Sequence, residues 1–245
     1  FTVAPALSSN VDAAIAQLRT GTMDATGAIE DIGTISSVVR TPAIGLAVQK
    51  SGRTTGHTTG TISSINTTVS VRYGSCGSTT GPIFTFTNQV VVGSSSFSAG
   101  GDSGSLIVTR GTCPRPVALL FAGSSTSTIG NPISQVLSRI SSSLGRTVSF
   151  VGSTCTASNF ELNEDLPGLS EEAMARASRI KEKNENRIMS RPSVIGFGVS
   201  SADDNAGEPI LVVYVDETTG LHPRLPKRID GLRVKTVYTD TFTAF

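Results

Sequence analysis

Between residues 54 and 109 the chain carries only two charged side chains, Arg72 and Asp102, in a stretch built mostly from Ser, Thr, Gly, Val and Ile. Branched side chains pack well on a pleated surface and lose rotamer freedom in a helix, so this composition favours strands. The runs 61–71, 83–92, 105–109, 117–122 and 147–151 alternate or are β-rich, and Gly, Ser and Pro clusters separate them. That pattern predicts an antiparallel barrel or sandwich. One helix is expected over 131–144, where Ile133, Val136, Leu137 and Ile140 recur at helical spacing behind the starter Asn131-Pro132.

The chain has 245 residues, 38% of them hydrophobic, which is enough to bury a real core. A formal net charge of +1 provides no overall field, so neither nucleic acid nor a membrane surface is expected as a partner. No run approaches the roughly eighteen apolar residues of a membrane span, and no basic-then-apolar leader opens the sequence. Phe1-Thr2-Val3-Ala4-Pro5 reads as the middle of something, either a mature product or an interior fragment. The three cysteines, Cys76, Cys113 and Cys155, lack metal-ligand spacing, so no metal is expected. They allow one disulfide, with Cys76–Cys113 the first choice because both lie beside turn residues; three buried or reduced thiols are the alternative.

Near Phe160 the composition changes, through the acidic turn-rich run 163–168, into a charge-dense segment. This divides the chain into a β-rich unit, 1–160, and a small α/β module, 161–245. Ser170 can cap a helix whose first turn holds Glu171 and Glu172 and which runs to about Arg191, before Pro192. Its apolar stripe is Ala173, Ala177, Ile180 and Ile188, with Arg176, Arg179, Lys181, Lys183 and Arg187 on the other faces. Strand-like runs follow at 194–200, 209–216 and 232–239.

The chemistry concentrates at Gly100-Gly101-Asp102-Ser103-Gly104-Ser105. A serine hydroxyl is a weak nucleophile that needs a base and dipoles to hold the oxyanion it creates. Glycines at 100, 101 and 104 permit positive φ and remove side chains, so a tight turn can aim the N–H groups of Gly101 and Ser103 at one point beside the hydroxyl. By itself such a run also fits a plain glycine-rich β-turn.

The flanking residues narrow the choice. Together with Leu120-Phe121-Ala122-Gly123-Ser124-Ser125, the segment 49–56 and Asn131-Pro132-Ile133, the serine motif resembles the chymotrypsin/trypsin superfamily, and more closely a bacterial branch of trypsin-like serine proteases. The resemblance covers roughly residues 10–151. It implies a mainly β fold, a trypsin-like double β-barrel with its first barrel truncated, plus the small α/β domain. It also implies that Ser103 is the nucleophile, that Gly101 and Ser103 form the oxyanion hole, and that 120–125 is a strand along which a peptide or protein substrate pairs. Within Asn10-Val11-Asp12-Ala13-Ala14-Ile15-Ala16, Asp12 resembles the triad acid on its strand, an exposed helix-capping aspartate being the competing reading. The resemblance also implies that Phe97 falls at the base of the primary specificity pocket, which argues against a Lys or Arg preference, and that Gly123 lines the same pocket, leaving room for substrate.

The superfamily order is His, Asp, Ser, yet no histidine precedes Asp12; the two present are His57 and His222, both in the wrong order. Three readings remain open: a serine endopeptidase whose histidine lies on a missing N-terminal segment, a pseudoprotease scaffold that binds peptides or proteins, and an unrelated β-domain with a mimicking turn. The first is preferred. The α/β module resembles one that accompanies these proteases, through 193–199 and 229–234, although there it precedes the protease. An accessory or structural role is implied. No cofactor is required, and an extracellular or cell-envelope location is expected.

Overall fold

The computed structural model describes residues 10–19, 21–22, 25–74, 80–154 and 168–245. The chain is mainly β. A small hairpin, β1 (Ala28–Ile29) and β2 (Gly33–Thr34), precedes six longer strands: β3 (Ala47–Gly52), β4 (Gly56–Arg72), β5 (Ile83–Gly93), β6 (Leu106–Thr109), β7 (Pro116–Gly123) and β8 (Ser127–Pro132). Each pairs antiparallel with its neighbours in the order β3, β4, β5, β8, β7, β6, and β6 returns to β3. The ring is therefore a closed six-stranded barrel, an arrangement that removes sheet edges from solvent. Among the described residues ahead of β3, only β1 and β2 are regular, so this is the one barrel that closes there.

Alternation along the strands sends Leu46, Val48, Ile62, Val90, Val92, Ile107, Val117 and Leu120 inward with Phe97, all essentially without exposure. Gly60 is needed inside this packing, because a Cβ there would stand 2.7 Å from Val92 and 2.9 Å from the Phe97 ring. Helix α1 (Ile133–Leu144) closes one side, burying Ile133 and Val136 against Val11.

β4 is long enough to serve two neighbours along one edge. Its first half pairs with β3, through Gly56 to Thr61, and its second half with β9 (Val194–Ala202), through Ile65, Thr68 and Val69. Register shifts and a left-handed Asn66 (φ 48°) mark this half, which stays paired with β5 on its other side through to Arg72. From β9 the sheet continues into β10 (Asn205–Asp216), antiparallel, and β12 (Leu232–Thr239), parallel to β10, with β11 (Arg228–Ile229) at the far edge. The α/β part thus shares one sheet with the barrel.

Helix α2 (Glu171–Met189) covers that extension, burying Ala177 and Ile188 against Phe197, Val199, Leu211 and Val213. Ser170 accepts the Ala173 N–H at 3.2 Å, the cap that the sequence predicts. Lys181, expected on a solvated face, is instead 1% exposed; its ammonium bonds the Thr68 hydroxyl of β4 at 2.7 Å and Glu185 one turn on. The long stem reaches the sheet while the charge stays paired.

Three further expectations change. Residues 147–151 form no strand: Phe150 packs beside α1, and Val148 donates its N–H to the Ser141 hydroxyl at 3.0 Å. Asn131-Pro132 ends β8 and leads directly into α1, with Pro132 at the N-cap position, but Asn131 does not cap the helix, since its amide is engaged with the backbone of Asp12, accepting at 3.2 Å and donating at 2.9 Å. Residues 10–16, expected as the strand that carries Asp12, form no strand. Cys113 is disulfide-bonded; Cys76 and Cys155, and hence the pairing, lie outside the described residues.

Candidate active site

The connection from β5 to β6 brings residues 99–105 against the tip of the β3–β4 hairpin, and one carboxylate joins them. Asp102 Oδ1 accepts the N–H groups of Thr54 (2.8 Å) and Thr55 (3.2 Å), while Oδ2 accepts the Thr55 hydroxyl (2.7 Å) and the Ala99 N–H (3.0 Å). Lys50 Nζ stands 3.5 Å away, and neither side chain has any exposure. The ammonium also bonds the Gly56 carbonyl at 2.9 Å. Burial alone pushes the Asp102 carboxyl up, but the hydrogen bonds from Thr55, Ala99 and Thr54 outweigh it and hold the group down at about 2. Burial lowers Lys50, and Asp102 offsets part of that. Gly52 is required beneath the pair, because a Cβ there would lie 2.5 Å from Asp102 Oδ1.

This anchoring leaves Ser103 exposed at the apex. The turn is closed by Asp102 N–H to the Ala99 carbonyl (3.1 Å) and Ser105 N–H to the Asp102 carbonyl (2.9 Å). It is tied to β7 by Gly104 N–H to the Leu120 carbonyl (2.8 Å). Gly101 and Gly104 sit at φ 99° and 86°, conformations that side chains resist. Among the described residues, the N–H groups of Gly101 and Ser103 meet no acceptor. The Ser103 hydroxyl points to the Phe121 carbonyl at 3.4 Å. An exposed hydroxyl beside two unclaimed amides can attack a carbonyl and hold the resulting oxyanion, provided a base takes its proton.

Asp12 receives the Tyr73 hydroxyl on Oδ2. Burial, reinforced by this carboxylate, raises the Tyr73 phenol far above its ordinary value. Tyr73 meets Phe84 and Phe86 at ring distances of 5.3 and 6.2 Å, and Phe86 meets Phe121 at 5.0 Å. An aromatic row therefore links the Asp12 side to the strand beside Ser103. Neither histidine joins the site: His57 bonds the Gln49 side chain at 3.0 Å, and His222 rests on Tyr238.

Phe97 and Gly123, expected to shape a specificity pocket, are both covered. Phe97 is fully buried in the barrel core, with Lys50 Nζ 6.0 Å from its ring centre, and offers no surface to a ligand. Gly123 does face a space for a side chain, but Phe245 fills it; a Cβ on Gly123 would lie 2.5 Å from the tip of that ring.

Sequence reasoning missed Lys50, Thr54 and Thr55 as supports of the serine turn. Asp102 was a usable signal, being one of two charges in a long uncharged stretch and so in need of a partner.

Residues 8–157, which hold the barrel and the Ser103 turn, match the model of the Nal1 C-terminal domain. The chain belongs to the Nal1 C-terminal domain family. A comparison with curated proteins gives no match. Two solved structures are similar to this Nal1 C-terminal domain chain. One is a glutamic-acid-specific serine protease that uses a histidine triad in substrate binding, with 27% identity and TM-score 0.37, covering 50% of this chain and 61% of its own. The other is Thermobifida fusca protease A, with 27% identity and TM-score 0.33, covering 45% of this chain and 55% of its own. The match thus spans about six tenths or less of either solved chain.

Proposed function

We propose that this chain carries the nucleophile and oxyanion hole of a trypsin-like serine endopeptidase, which hydrolyses peptide bonds through an acyl-enzyme on Ser103. One observation carries the reading: an exposed serine on a turn locked by a buried ion pair, with the Gly101 and Ser103 N–H groups unclaimed. Ser103 Oγ bonds to the substrate carbonyl carbon as its proton passes to a base, and the two amides stabilise the oxyanion. Collapse expels the amine, which takes that proton, and water then releases the acid from the serine. No cofactor or metal enters these steps.

The base in this reading is a histidine on a segment other than these 245 residues, because His57 and His222 contact neither Ser103 nor Asp12. Asp12 is assigned as its orienting carboxylate. The substrate is a peptide or protein lying along β7. The disulfide-bonded Cys113 favours an extracellular or cell-envelope location.

A second reading, a catalytically inactive peptide-binding scaffold, is favoured by the Tyr73 hydroxyl on Asp12, which occupies an oxygen that an imidazole would need. A fluorophosphonate probe on the full-length protein separates the two. Labelling at Ser103 that disappears in Ser103→Ala supports the protease; an unlabelled full-length protein supports the scaffold.

A further inference from the structure

The segment that fills the space over Gly123 is held in an orderly way. Asp240 accepts both the N–H and the hydroxyl of Ser125 at 2.7 Å. Phe242 is fully buried beside Tyr214, and its carbonyl accepts the Arg72 N–H at 2.8 Å. Beyond that anchor, β13 (Thr243–Ala244) runs antiparallel to β7, with Thr243 opposite Gly123 and Ala244 opposite Ala122. Phe245 then donates its N–H to the Phe121 carbonyl at 3.1 Å. The Ser103 hydroxyl meets that same oxygen at 3.4 Å, so serine Oγ and Phe245 N are at most 6.5 Å apart, the sum of the two. The Phe245 ring packs on the barrel core beside Gly123.

We infer that residues 241–245 are an intramolecular occupant of the groove in which a peptide binds, and that this groove selects an aromatic side chain on the residue whose N–H reaches Phe121. This rests on the reading of Ser103 as the nucleophile. Strand addition supplies backbone pairing of any sequence, whereas a side-chain space supplies selectivity. Here the pairing residues, Thr243 and Ala244, are small; the Phe242 ring is taken up by the core beside Tyr214, and the Phe245 ring fills the space over Gly123. A cover needed only to protect the edge of β7 has no reason to seat a ring over Gly123, two residues from the carbonyl that Phe245 N–H and the Ser103 hydroxyl both meet. An occupied groove weakens apparent affinity for a peptide in proportion to the fraction of molecules in which it is open.

The test uses a dye-labelled Thr-Phe-Thr-Ala-Phe peptide and a variant ending in Lys, on the full chain carrying Ser103→Ala so that no turnover interferes. Phe245→Ala should bind the Phe peptide at least tenfold more tightly than the otherwise identical chain, and prefer it over the Lys peptide. Equal binding, or none by either, overturns the inference. Should Phe245→Ala fail to fold, amide exchange in the chain with Phe245 intact decides: saturating Phe peptide must accelerate exchange at residues 243–245, and unchanged exchange overturns it. Ser103 labelling is scored separately. A gain in peptide affinity without labelling leaves the occupied groove standing and removes the protease; labelling without the gain does the reverse.

Discussion

Lys50 and Asp102 face each other across 3.5 Å with no exposure on either side chain, and they join the β3–β4 hairpin to the turn that presents Ser103. Removing one member of a buried pair leaves the other charge uncompensated, at a cost of about 3–5 kcal/mol. Lys50→Met should destabilise the chain on that scale in urea unfolding. In full-length protein it should also lower the rate of Ser103 labelling, because the turn loses its anchor although Lys50 is itself fully buried.

Acid should act through the same carboxylate. Asp102 is held at about 2 in the folded chain, below its ordinary 3.8, so the native state binds the proton more weakly than the unfolded state does. Its contribution is fully present above the unfolded value and is lost as pH falls toward 2. The difference amounts to about 2 kcal/mol. Unfolding free energies measured from pH 7 to pH 2.5 should fall below about pH 5. In Asp102→Asn the curve should start lower and fall less; an identical acid slope would contradict the assignment.

Two adjacent glycines should respond differently to alanine. Gly101 sits at φ 99°, and a Cβ there would also press on the Arg53 guanidinium, which is mobile enough to move; Gly100 has open space and an ordinary φ. Gly101→Ala should therefore cost about 1–2 kcal/mol in backbone strain. If the Gly101 amide serves an oxyanion hole, turning it away should also slow peptidase activity of the full-length protein by roughly 100-fold or more. Gly100→Ala should change stability by less than about 0.5 kcal/mol in the same assay.

Tyr73→Phe removes the hydroxyl on Asp12 while keeping the ring packing with Phe84 and Phe86. The expected cost is about 1–2 kcal/mol. If Asp12 orients a histidine, Tyr73→Phe should leave full-length activity within a few-fold, while Asp12→Asn should lower it by about 10⁴. Equal effects of the two would assign Asp12 a purely structural role.

Several elements were legible because local pattern and tertiary context agree. The alternation in 83–92 and 117–122 appears as β5 and β7, and Ser170 with its two glutamates opens α2. The glycines of the serine turn announced their conformation directly: two of them adopt positive φ. The failures share one cause, which is that the partner lies outside the segment itself. Asn131 reads as a helix cap until Asp12 claims its amide. Residues 147–151 read as a strand but are drawn to α1, through Val148 on the Ser141 hydroxyl and Phe150 beside Ile133 and Val136. Lys181 looked solvated because Thr68 belongs to another segment, and nothing near Gly123 announces that Phe245 covers it. The boundary near residue 160 follows composition, whereas the sheet continues from β4 into β9 irrespective of it.

That continuity has a consequence in time. β4 is synthesised well before β9, the strand that takes up the second half of its edge. At the usual rate of about 5–20 residues per second, that half of the edge waits on the order of ten seconds for its partner to emerge from the ribosome. An unpaired edge accepts any strand, including that of a neighbouring chain. The interval during synthesis, more than the finished fold, is when this chain is most open to misassembly.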